Sequence, residues 1–65
     1  KENFAIKLRE LRKASGMTQE QLAAEFGVSV QAVSKWESGA SDPSTSNLLA
    51  LAKLYGVSAE DLLRE

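Results

Sequence analysis

Four glycines cut the chain into five short pieces, and shortly after each glycine stands a residue suited to start a helix. Gly16, Gly27, Gly39 and Gly56 are followed by Thr18, Ser29, Ser44 and Ser58. A glycine just past a helix readily adopts the left-handed backbone that closes the last turn, a conformation other residues rarely take. A Ser or Thr just ahead of a helix lends its hydroxyl oxygen to one of the backbone N–H groups that the first turn leaves unpaired. Thr18 has Gln21 three residues on, which completes a capping box, and Ser58 has Asp61 in the same place, a weaker version. An apolar residue before each cap should also pack on one five positions later. Met17 pairs in this way with Leu22, Val28 with Val33, Pro43 with Leu48 and Val57 with Leu62. The spacing predicts helices over 2–15, 18–26, 29–38, 44–55 and 58–64. With no sustained apolar–polar alternation and no Asn-Gly or Asp-Gly hairpin signal, the fold class is all-α, a compact five-helix bundle.

The apolar residues sort onto faces at 100° per residue. Phe4, Leu8, Leu11 and Ser15 form one stripe of the first helix. Leu22, Ala23 and Phe26 share a face of the second, and Val33 and Trp36 of the third. Leu48, Leu51, Ala52 and Tyr55 line the fourth, while Leu62 and Leu63 anchor the last turn. Ile6 and Leu54 fall off these stripes. A chain of 65 residues holds one small domain, 1–65, and the absence of Cys and His removes disulfides and Cys- or His-liganded zinc as staples. Helix packing must therefore hold it. No apolar run approaches the roughly 20 residues of a membrane span, and no secretory signal opens the chain. The expectation is a cytoplasmic protein without membrane contact. Because the first residue is Lys1 and not Met, a domain excised from a longer protein is expected.

Residues 18–38, TQEQLAAEFGVSVQAVSKWES, carry the function. A short helix ends at Gly27 and another begins at Ser29, with the small Ala23 where the two should cross. This is the layout of a helix-turn-helix, whose second helix can enter the major groove of DNA. On that helix Ser34, Lys35 and Ser38 lie within about 60° of Gln31, opposite Val33 and Trp36. The face holds hydroxyls, one amide and one cation, and no acid. A glutamine can pair with adenine N6 and N7, and a lysine can reach guanine O6 and N7 or a phosphate. Val30, at the edge of the face, can touch a thymine methyl. The net charge of −1 is unusual for a nucleic-acid binder, but Glu20, Glu25, Glu60 and Asp61 lie on other helices. Glu37 sits at the edge of the core-facing side of the third helix, and Arg12 flanks the stripe of the first. An Arg12–Glu37 ion pair is expected between them, fixing helix orientation more than adding stability.

The segment 8–63 resembles the XRE family, which includes the phage repressors and Cro proteins. The resemblance rests on LRELR at 8–12, MTQEQLA at 17–23, FGVS at 26–29, SKWESG at 34–39 and LAKLYGVS at 51–58. It implies a five-helix fold acting as a dimer on a palindromic operator in double-stranded DNA. By position it makes Gln31 and Lys35 base-reading residues, with Val30 and Ser34 beside them in the groove. Gln19 and Ser38 become phosphate contacts, and Arg12 and Glu37 a buried ion pair. The chain departs from the family in the loop Ala40-Ser41-Asp42, which is often basic there, and at Thr45, where a larger apolar residue is usual. Few phosphate contacts imply a shallow salt dependence. The competing reading is a protein-interaction module that keeps the helix-turn-helix core and has lost DNA binding. The acidic balance and the Ala40–Asp42 loop favour it, and the polar, acid-free face of the third helix, where a protein interface would more often show aromatic anchors, argues against it. Without His, Cys or a Gly-rich phosphate loop, neither an enzyme nor a cofactor or metal site is expected.

Overall fold

The computed structural model describes residues 2–63, which form α1 (Glu2–Ala14), α2 (Gln19–Phe26), α3 (Val30–Ser38), α4 (Thr45–Tyr55) and α5 (Ala59–Leu63). Each of α2, α3 and α4 starts one residue after its cap, because the cap itself is extended: Thr18 has φ −88° and ψ 167°. Its hydroxyl accepts from the Gln21 N–H at 3.0 Å, and the Gln21 side-chain oxygen accepts from the Thr18 N–H at 2.8 Å. Ser29, Ser44 and Ser58 accept from the N–H groups of Ala32, Asn47 and Asp61. At the other ends Gly27, Gly39 and Gly56 are left-handed caps. The last position of the fifth predicted helix, residue 64, lies outside the described residues.

The core is one cluster drawn from all five helices: Phe4, Leu8, Leu22, Ala23, Val33, Trp36, Leu51, Ala52 and Leu62. Met17, Val28, Leu48 and Val57, four of the residues expected to staple helix starts, pack against it. Helix α1 lies on α3 and α5, α2 on α3, and α4 on α5. Where α2 crosses α3, the rings of Phe26 and Trp36 meet edge to face, with centroids 6.3 Å apart, a favoured geometry for the aromatic quadrupoles.

The wheel misplaced a few side chains. Ser15, assigned to the first stripe, is exposed; α1 ends at Ala14, and the Ser15 hydroxyl donates to the Arg12 carbonyl at 2.7 Å. Of the two leucines assigned to the last turn only Leu62 is buried, while Leu63, about 100° further round a five-residue helix, is 54% exposed. Ala5 is buried and Leu49 exposed, neither of which the stripes indicated. Ile6 and Leu54, off the stripes, are exposed.

Candidate nucleic-acid interface

Helix α3 is held from behind. Val33 is fully buried, Trp36 nearly so, and Val30 is half-buried with its side chain against the core. Opposite Val33 and Trp36, Gln31, Ser34, Lys35 and Ser38 are exposed, with Val30 at the edge of that face. The side chains of Gln31, Ser34 and Lys35 make no hydrogen bond or ion pair with any other described residue. Glu37, the one acid on the helix, is buried and faces away from them. The outward face therefore offers one amide, one hydroxyl and one ammonium group unspent, with no carboxylate among them.

Ser38 differs from its neighbours on the face. Its hydroxyl donates to the Lys35 carbonyl at 3.2 Å and accepts from the Ala40 N–H at 3.4 Å. The N–H groups of Gly39, Ala40 and Ser41 all turn back to the same Lys35 carbonyl. The amides of the loop after α3 are thus spent on closing the helix.

Behind the face, three chain segments converge on one carboxylate. Arg12 Nε donates to Glu37 Oε2 at 2.7 Å and Arg12 Nη2 to Glu37 Oε1 at 3.2 Å, a two-pronged pairing that fixes both planes. The third guanidinium nitrogen, Nη1, donates to the Met17 carbonyl at 2.9 Å, tying down the turn just before the α2 cap. Gln19 Nε2 then donates to Glu37 Oε1 at 3.0 Å. The last two contacts were not foreseen in the sequence. The only signal for the Gln19 contact is that Glu37 has more acceptor positions than one arginine can fill. Among the described residues no buried side-chain nitrogen or oxygen lacks a partner.

Tyr55, at the end of α4, closes this region, its hydroxyl donating to Met17 Sδ at 3.9 Å. Burial pushes its phenol above the usual range. The open groove between α1 and α5, about 510 Å3 and lined by Leu11, Val57 and Leu62 among others, includes no residue of α3. Among the described residues no three His, Cys, Asp or Glu side chains come together as a metal site, and no helix is long and apolar enough to cross a membrane.

A helix-turn-helix family profile matches residues 8–62, nearly the whole described chain. The chain belongs to this family. Proteins similar to it are named as transcriptional regulators. An HTH-type transcriptional activator of Enterococcus faecalis, BcrR, is 43% identical over 60 residues, covering 92% of this chain and 29% of its own length. An uncharacterised HTH-type transcriptional regulator of Methanocaldococcus jannaschii is 41% identical over 56 residues, covering 86% of this chain and 85% of its own. The cryptic phage CTXphi transcriptional repressor RstR of Vibrio cholerae is 38% identical over 56 residues, covering 86% of this chain and 50% of its own. The chain thus spans under a third of one of these relatives, half of another and most of the third. It is an all-α helix-turn-helix domain, similar to phage-related repressors and other HTH-type transcriptional regulators.

Proposed function

We propose that this domain binds double-stranded DNA sequence-specifically as the reading head of a transcriptional regulator. Helix α3 enters the major groove, with Gln31 and Lys35 on base edges and Val30 and Ser34 beside them. Gln19 touches a phosphate on one side, Ser38 turns its hydroxyl from the Lys35 carbonyl to a phosphate on the other, and two copies occupy the halves of a palindromic operator. One observation carries the reading: α3 presents an amide, a hydroxyl and an ammonium group that nothing else in the described chain uses, on a helix whose back is locked into the core. Polar groups aimed outward from a rigid helix are what base-edge readout requires. The names of the relatives, one an activator and another a repressor, fit a domain that supplies the DNA grip common to both. A cytoplasmic location accompanies the reading, since that is where such an operator lies.

Repeated selection from a pool of random duplex DNA tests it. Recovery of a two-fold symmetric consensus is the expected result. A pool that stays random at moderate salt removes DNA reading from this domain.

A further inference from the structure

The Gln19–Glu37 hydrogen bond is made to a carboxylate that Arg12 already engages with two bonds. It joins the first residue of α2 to the penultimate residue of α3. An ionised carboxylate only accepts, so the nitrogen of the Gln19 amide, and not its oxygen, must face Glu37. That nitrogen carries two hydrogens about 120° apart. One lies on Glu37 Oε1 at 3.0 Å, and the second has no partner among the described residues. Arg12 matters here for its charge. It neutralises the carboxylate beside which a phosphate would approach, and through the Met17 carbonyl it holds the turn from which α2 starts.

We infer that Glu37, paired to Arg12, is a positioning residue for DNA binding, which locks the Gln19 amide so that its remaining N–H is presented to a phosphate of the backbone. The inference rests on the DNA reading above and deepens it: the buried pair orders one arm of the phosphate grip before DNA arrives. An unheld glutamine would lose side-chain freedom on binding, and ordering such a long side chain opposes the contact it makes. Gln19 is neutral, so its contribution is independent of sequence and of counterion release.

Two measurements test this together. In the DNA-free wild-type protein, one side-chain amide proton of Gln19 should be shifted downfield in the NMR spectrum and exchange more slowly than those of Gln31, whose side chain is unpaired among the described residues. A Gln19 amide behaving like that of Gln31 overturns the inference, whatever the protein binds. The second measurement is affinity for the selected duplex and for the same duplex with one base pair changed. It compares wild type, Gln19→Ala, Glu37→Gln and the double variant, each well below its melting temperature. Gln19→Ala should weaken both duplexes equally, about three- to tenfold, with the salt slope unchanged. Glu37→Gln should cost a similar factor, and adding Gln19→Ala to it should cost less than about twofold more. Full multiplication of the two losses overturns the inference while leaving DNA reading intact. If wild type selects no duplex, the reading itself fails and the inference falls with it. Should Glu37→Gln fail to fold, Gln19→Asn replaces it. That amide is one methylene too short to bridge carboxylate and phosphate, so it should lose as much as Gln19→Ala, and wild-type affinity in it overturns the inference.

Discussion

Gln31 and Lys35 are exposed side chains on a helix whose back is packed into the core, and that combination separates the binding roles proposed for them from any role in stability. Neither touches the core, so Gln31→Ala and Lys35→Ala should each leave unfolding free energy within about 0.5 kcal/mol of wild type. Each should weaken binding to the selected duplex by about 1–3 kcal/mol and relax preference at one base position. Wild-type affinity in both variants would take them out of the interface. Val30 cannot be tested so cleanly, because it is half-buried against the core and its truncation changes both quantities. Tyr55, the only tyrosine, reports on the same region through pH. Its phenol is raised by burial in the folded state, so the unfolded chain ionises first as pH climbs past the ordinary value of about 10. The folded state then binds more protons than the unfolded one, and stability falls with rising pH over that range. Below it the stabilisation is fully present. Tyrosinate absorbance should therefore appear at higher pH in the folded protein than in denaturant, and Tyr55→Phe should flatten the alkaline loss of stability. Coincident titrations, folded and unfolded, would show the phenol to be solvated.

At the scale of elements, the boundaries were readable because glycine and hydroxyl caps are local chemistry. Whether Thr18 can accept from a backbone N–H depends on its own neighbours, and the helix starts follow within a residue. Faces were less readable. A wheel assumes an unbroken helix, and it carried Ser15 onto a stripe although the hydroxyl bonds back to Arg12 where the helix has ended. It also could not choose between adjacent Leu62 and Leu63, since a five-residue helix has room for one inward leucine per turn. At the site, the outward set on α3 follows from periodicity. The contacts of Gln19 and the loop amides do not, because they depend on how separate segments meet in space. The meeting of Arg12 and Glu37 makes the sharpest prediction about the elements. Glu37 has its side chain 3% exposed and Arg12 12%. Glu37→Ala strands a largely buried guanidinium and releases both Gln19 and the α1–α3 contact. Fully buried pairs broken on one side lose about 3–5 kcal/mol; the residual exposure of Arg12 brings the expectation to about 2–3 kcal/mol. The melting temperature should drop by on the order of 10 °C in a domain this small. A thermal midpoint equal to wild type would show that the pair contributes nothing to holding α1 on α3.

For the whole molecule, charge and size set how it can use DNA. The net charge is −1, and the α3 face carries one cation, Lys35. The loop that follows has its amides turned inward and an exposed Asp42. Non-specific attraction scales with the number of phosphates neutralised by Lys and Arg, so the salt slope per domain should be small, about −1 to −2 on a log–log plot. The proposed reading then draws its affinity from base contacts and from binding two half-sites. The backbone envelope measures 26 × 23 × 21 Å, and successive major grooves on one side of B-DNA are about 34–36 Å apart. Two copies of that size placed one turn apart would not overlap. Inserting about five base pairs between half-sites rotates the second copy to the opposite face of the duplex. Binding to a duplex with its half-sites one turn apart should therefore be tighter than to a single half-site. The advantage should vanish with the half-turn insertion and partly return with a full turn. Affinity indifferent to the insertion would show that each domain reads DNA alone, with the symmetric arrangement discarded and the groove contacts of α3 left standing.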